Sequence, residues 1–445
     1  MIRRIGGWVG PLAFVAAAWA WSTAAIAQEP AVEAARARAR ENPRDADAQL
    51  ALGHVLRRAG RFAEAATQMT KAARLRRGWE QGLYDVARVY FDQGDYRRAR
   101  TACGALARVS KQGVAHHACM ARTYLVWNRT DRALEEADAA LAVDAQSALA
   151  HVARADAFRL RADVAQAEPA YRRAAELAPQ DVEPHLGLGR LYAAANRRDD
   201  AVRAFRRALE LDGDNPEVAY ELGRLLGNDA EALALLQRAV TGRPTWPQAQ
   251  VSLGEALLRG GQNEAALAAF QQAVRLSDSL ARAHLGIGNA QLALNRPQEA
   301  EAALQRSLAL VQDLPETHMA LGDVYARTER PEEALEAYRR SFDRDPSNPE
   351  SLLRAARLCV SLRRTTMAAA VLTRLLDAHA THAPALALAS EVAESRGETA
   401  SAIQLAERAL RGTGTIDRRA VEARLRALRA RAGATRSGST QPPRR

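Results

Sequence analysis

Of 445 residues, 48% are hydrophobic but only 5% aromatic, and the 27 Gly and 17 Pro are spread along the chain. This excludes a few long Gly/Pro-rich linkers and describes many short helices rich in Ala and Leu. The formal charge of +11 sits at the ends, at Arg3 and Arg4 and in residues 411–445, where ten Arg face only Asp417 and Glu422. The body 28–410 is close to neutral, so its Arg content gives no evidence for phosphate binding, and no nucleic-acid partner is expected.

Residues 1–27 combine Arg3 and Arg4, an apolar stretch from Ile5 through Trp21, and the small-residue ending Ala25-Ile26-Ala27. This is the pattern of a secretory signal peptide cleaved after Ala27, which places the mature protein in the periplasm or outside the cell. An uncleaved inner-membrane anchor is the competing reading, disfavoured by Gly6, Gly7 and Pro11 within the apolar run. No Cys follows the site, which argues against a lipoprotein. Next, residues 28–45 carry the phase of a lone second helix, Ala31 to Glu41 closed by Pro43, and are expected to form an N-terminal capping helix.

From residue 46 to 415 the chain repeats. Small residues recur at Gly53, Ala87, Ala121, Ala155, Gly189, Gly223, Gly254, Gly288, Gly322, Ala356 and Ser390, spaced by 34 except for one step of 31 after Gly223. A second small residue follows twelve positions later in each full-length unit, from Ala65 to Ala402. Two helices approach closely only where both present small side chains, so the paired lines mark the crossing of a helical hairpin. Tyr171, Phe205, Phe270 and Tyr338 fill the space around the crossing. Pro43, Pro179, Pro244 and Pro346 share the phase at which a second helix must end, with Asp and Asn nearby to cap the next helix.

The 34-residue period, Leu188-Gly189-Arg190-Leu191-Tyr192, the spacing Ala201, Phe205, Ala208 and the closing Pro together resemble the tetratricopeptide repeat (TPR) family. The resemblance covers roughly residues 46–416. It implies an all-α fold, an α-α superhelix (TPR solenoid) of about eleven helix-turn-helix repeats with N- and C-terminal capping helices. The family's first-helix Trp is missing, and His117, His151, His185, His284 and His318 stand in its slot, a periodicity that suits packing better than metal binding. The sixth unit is three residues short across Gly227-Asn228-Asp229-Ala230-Glu231, and its clipped turn is expected to alter the superhelical path. Residues 416–432, with the apolar stripe Val421, Leu425, Leu428 and Ala432, are expected to be a C-terminal capping helix, and 433–445 a disordered basic tail.

In such a solenoid the first helices line a concave groove. With the small first-helix residue as position eight, position nine reads Arg88, Arg122, Arg190 and Arg224 among others in the first half and turns mixed or acidic in the second. Tyr84, Phe91 and Tyr220 lie beside these Arg residues as anchor candidates. One reading is that repeats two to six hold an acidic or C-terminal-carboxylate segment on Arg forks. The other is a solvated face on which neighbouring charges balance. The residue pattern of a chaperone-tail clamp and the asparagine ladder of glycosyltransferase-linked solenoids are both missing.

Cys103 lies on a second helix and Cys119 on the next first helix, so adjacent antiparallel helices allow a disulfide, with two reduced core thiols as the alternative. Joining His116 to the pair as a metal site would give only three ligands, so no metal is expected, and Cys359 has no partner. No nucleophile motif, metal cluster or phosphate loop marks an enzyme, and no cofactor is expected. The sequence therefore suggests a protein-binding scaffold of a bacterial cell envelope. A component of exopolysaccharide export binding a glycan is the alternative, and tethering of the basic C-terminal end to an anionic envelope surface is the third reading.

Overall fold

The computed structural model describes residues 29–227 and 230–438, with side chains to 432. Among these residues there are twenty-four helices and no strand, only an isolated bridge between His382 and Thr413. The expected signal peptide with its site at Ala27 lies outside the described residues, as do 228–229 of the clipped turn and the final residues 439–445.

The chain divides into two units after Leu276. The first holds a helix over 29–41 followed by seven hairpins, from Ala46–Arg58 with Phe62–Leu75 to Pro247–Arg259 with Asn263–Leu276. The second holds four hairpins, from Ala281–Ala293 with Pro297–Leu310 to Ala383–Ser395 with Thr399–Arg411, and the helix Arg418–Gly438. Several helices start where the sequence supplies an N-terminal acceptor or a donor-free residue. Asp45, Asp181 and Asn215 accept from the amides of Asp47, Glu183 and Glu217, and Pro247, Pro297, Pro315 and Pro331 occupy first turns.

Inside each full-length hairpin one residue of the turn takes a left-handed conformation: Gly60, Gly94, Asn128, Ala162, Asn196, Gly261, Asn295, Glu329, Arg363 and Gly397. These residues keep the 34-residue register on either side of the short sixth unit. Gly and Asn adopt this conformation readily, whereas Ala162, Glu329 and Arg363 hold it against their Cβ.

The paired small residues form notches. A Cβ placed on Gly53, Gly189, Gly254, Gly288 or Gly322 would fall 2.4–2.7 Å from a side-chain atom of Met69, Phe205, Phe270, Leu304 or Tyr338, sixteen residues further on. Where the first residue is Ala121 or Ser390, the position sixteen on is only Ala137 or Ala406, so the Cβ of the first helix faces a small side chain. Leu372 opposite Ala356 and Tyr171 opposite Ala155 both depart from this pattern, Tyr171 the more so. Its ring is admitted by Gly187 of the next helix, where a Cβ would come within 2.3 Å, and its hydroxyl donates to Asp156 at 2.5 Å.

The histidines in the expected Trp slot tie down the preceding turns. Nε2 of His151, His284 and His318 lies 3.1–3.3 Å from the carbonyl oxygen six residues earlier, on Ala145, Asp278 and Gln312. His117 instead meets Glu136 at 2.7 Å.

Both ends are covered. The helix over 29–41 buries Val32 and Ala39, and the Gln49 amide donates to the Ala39 carbonyl at 2.8 Å. Val421, Leu425 and Leu428 are buried against the eleventh hairpin, while Ala432 is half-buried. The expected boundary at 432 does not hold, because the closing helix runs on through Gly438. Its Ala/Arg-rich sequence favours helix and no Pro interrupts it before Pro442.

The first-helix wall of the N-terminal unit

The groove residues named from the sequence come together on one wall of the first unit. Arg88, on the first helix of repeat two, is ion-paired with Glu183, on the first helix of repeat five. Helices three repeats apart meet in this way only if the wall curls inward. Arg58 of repeat one likewise reaches Asp212, in the turn after repeat five, at 3.1 Å.

The other predicted arginines also have carboxylate partners within the chain. Arg122 lies 3.6 Å from Asp92, which also accepts from Arg57 at 2.5 Å, and the Arg122 guanidinium lies 5.2 Å from the Phe91 ring centre. Arg190 is held between Glu217 and Glu221, the latter at 3.2 Å. Arg224 is the most open, with 55% of its side chain exposed, 3.8 Å from Glu221 and 5.5 Å from the Tyr220 ring centre.

The aromatic anchors divide. Tyr84 and Phe91, expected to face a guest, are buried among the helices at 7% and 8% exposure, because positions five and twelve of repeat two fall in the seam with its neighbours. Tyr220 is half-exposed and packs on Trp246, ring centres 4.4 Å apart.

The wall is thus a mesh of paired charges lining two small cavities. One, of about 150 Å³, touches Tyr84, Arg88, Arg122, Asp156 and Glu183; the other, of about 250 Å³, touches His54, Arg57, Arg88, Asp181, Glu183 and Arg243. Arg88, reinforced by Arg122, holds the Glu183 carboxyl down at about 2 against the opposing effect of burial. Burial alone would lower the pKa of Arg88 and Arg190, but their carboxylate partners raise both overall. Asp181, which caps its own helix, is shifted upward by burial.

Sequence reasoning missed Arg57, Arg58, Asp92, Glu183, Asp212 and Arg243. Counted from the small residue at position eight, Asp92 and Glu183 stand at positions thirteen and two of their first helices, so a scan of the first helices beyond position nine for opposite charges would have found them.

Cys103 and Cys119 are bonded, with Cα atoms 5.5 Å apart, and Nδ1 of His116 lies 3.0 Å from the Cys103 carbonyl oxygen. Among the described residues no group of three or more His, Cys, Asp or Glu is placed to hold a metal ion, and no helix is long and apolar enough to cross a membrane.

Family models described as tetratricopeptide repeat match residues 24–79, 120–182 and 251–315, residues 160–225, and residues 315–358. The chain belongs to the tetratricopeptide-repeat family. Similar solved structures include TTC0263, a thermophilic TPR protein in Thermus thermophilus, at 29% identity over 40% of this chain and 100% of that one, with a TM-score of 0.36. Yeast Tom70 is 13% identical over 95% and 99% of the two chains at a TM-score of 0.46. The Cut9-Hcn1 hetero-tetramer of the APC/C is 15% identical over 94% and 98% at a TM-score of 0.45. No curated protein matched the chain. The stacked TPR hairpins make this protein a scaffold for protein–protein interaction.

Proposed function

We propose that this TPR protein is a non-enzymatic scaffold of the bacterial cell envelope that holds a segment of a partner protein on the first-helix wall of its N-terminal unit. The observation that carries this reading is the wall itself, where groove residues from repeats one to six converge as half-exposed charged side chains around two cavities, beside the accessible pair Arg224 and Tyr220. Because the arginines are already neutralised, a guest gains little from net charge and is recognised by exchanging partners with the existing pairs.

Placement in the envelope rests on the signal pattern at 1–27 and is supported by the Cys103–Cys119 bond, since disulfides persist in oxidising compartments. Site-specific photo-crosslinking in cells tests the scaffold: a crosslinker at Arg224 is expected to capture a discrete partner, and one at Arg203, on a second helix with 71% exposure, is not. Equal capture at both positions, or none at Arg224, removes the wall as the binding face. Fractionation with N-terminal sequencing tests the location, with Gln28 expected as the mature start.

A further inference from the structure

Arg243 follows the second helix of the shortened sixth repeat and lies off the first-helix line read from the sequence. Its guanidinium carbon lies 4.8 Å from the Trp246 ring centre and 5.4 Å from that of Phe62 in repeat one. The turn of repeat one is so near that a Cβ on Gly60 would stand 2.8 Å from Arg243 Cγ. Arg243 therefore sits where repeat one meets the turn between repeats six and seven, on the rim of the 250 Å³ cavity.

The carboxylates around that cavity are already engaged. Glu183 is taken by Arg88, Asp212 by Arg58, Glu217 by Arg190, and Asp181 accepts from the amide of Glu183. Arg57, also on the cavity, is bound to Asp92. Arg243 alone among the cavity's arginines has no carboxylate and no hydrogen-bond acceptor among the described residues, and its Nε is buried without a partner. Burial depresses its pKa and outweighs the opposing pull of Glu217 and Asp92, the reverse of the direction at Arg88, Arg122 and Arg190. A guanidinium flanked by two aromatic faces, with its Nε buried and unpartnered, retains donors that a planar anion would satisfy.

We propose that Arg243, braced by Phe62 and Trp246, is the receptor for a single carboxylate presented by the partner segment, at the edge of the cavity and away from the four arginines that the groove pattern singles out. This rests on the scaffold reading above and gives it an anchor: one acidic side chain or chain terminus on the guest. The neighbouring pairs then set the guest's path, and Arg243 sets its register.

Trp246 reports on the site directly. In the mature chain carrying Trp79→Phe and Trp127→Phe, its fluorescence is followed on titration with four probes. These are N-acetylglutamate α-amide for a side-chain carboxylate, N-acetylalanine for a terminal one, N-acetylglutamine amide as the neutral control, and inorganic phosphate. At least one carboxylate probe is expected to give a saturable change that the neutral amide does not, with apparent Kd raised roughly tenfold or more in Arg243→Gln and less in Arg243→Lys. An equal response to the neutral amide, a response to phosphate alone, or an unchanged Kd in Arg243→Gln overturns the assignment. If Arg243→Gln does not fold by circular dichroism, the comparison of carboxylate with amide in the parent chain decides. Crosslinking at Arg224 separates the two levels: capture that persists while the carboxylate response is absent removes the anchor and leaves the scaffold.

Discussion

The notches give the sharpest mutational prediction, and Gly288 with Leu304 is the cleanest pair. An added Cβ on Gly288 would meet Leu304 Cγ at 2.5 Å and Cδ2 at 2.6 Å, and Leu304 is fully buried. In an open helix Gly→Ala would stabilise by about 1 kcal/mol. Here overpacking costs about 1–3 kcal/mol, so Gly288→Ala should be neutral to destabilising by about 2 kcal/mol. Leu304→Ala alone should cost about 2–5 kcal/mol through lost burial and a cavity. In the double variant the methyl added at position 288 enters the space that Leu304 vacates, so the pair should be about 1–2 kcal/mol less damaging than the sum of the singles. Hydrogen exchange of peptides within 281–310 is the suitable assay, because a repeat array opens locally and a single global transition would blur the effect. Strict additivity, or Gly288→Ala stabilising by the full helix-propensity amount, would refute the nested-helix reasoning.

Replacing Arg363, held at φ 58°, by Gly should raise stability by roughly 0.5–1 kcal/mol, and Asn295→Gly, at the same φ, should do less, both read by thermal melts. Lowering the pH should destabilise the protein in two steps. His54, His185, His318 and His382 are all depressed below 6.5 by burial, so the stability they lend as neutral rings is present above that value and is lost as pH falls beneath it. Glu183 and Glu336, held at about 2 chiefly by Arg88 and Arg339 respectively, lend stability above about 4.5 that is lost toward pH 2. Urea midpoints that stay flat from pH 7.5 to 3 would contradict both assignments. Reduction of Cys103–Cys119, which are 16 residues apart in sequence, should cost about 3 kcal/mol, read by thermal melts with and without reductant. In the oxidised native protein a thiol reagent should leave buried Cys359 unlabelled.

The fold was legible because its determinants are local and periodic. Gly53, Gly189 and Gly288 announce the notches by spacing alone, and the three missing residues after Leu226 mark the irregular unit. The partners of the wall were not legible. Arg88 and Glu183 are 95 residues apart in sequence, and their meeting depends on a curl summed from small rotations between successive hairpins, which no single repeat encodes. Packing in the seam with neighbouring repeats buries Tyr84 and Phe91, whose positions look like groove positions when each repeat is taken by itself. Arg243 escaped notice because it belongs to a turn. Its only sequence signal is the spacing Arg243 to Trp246, matched by Arg76 to Trp79, where the guanidinium also stacks on the indole at 4.3 Å.

The inward curl of the first unit underlies both the binding wall and the carboxylate anchor, and the coupling between Arg88 and Glu183 measures it most directly. In a cycle of Arg88→Glu, Glu183→Arg and the swapped pair, the single reversals should each destabilise and the swap should recover at least roughly 1 kcal/mol, a modest value because Glu183 keeps 37% of its side chain exposed. Effects that simply add, with no recovery in the swap, would mean that repeats two and five do not face each other.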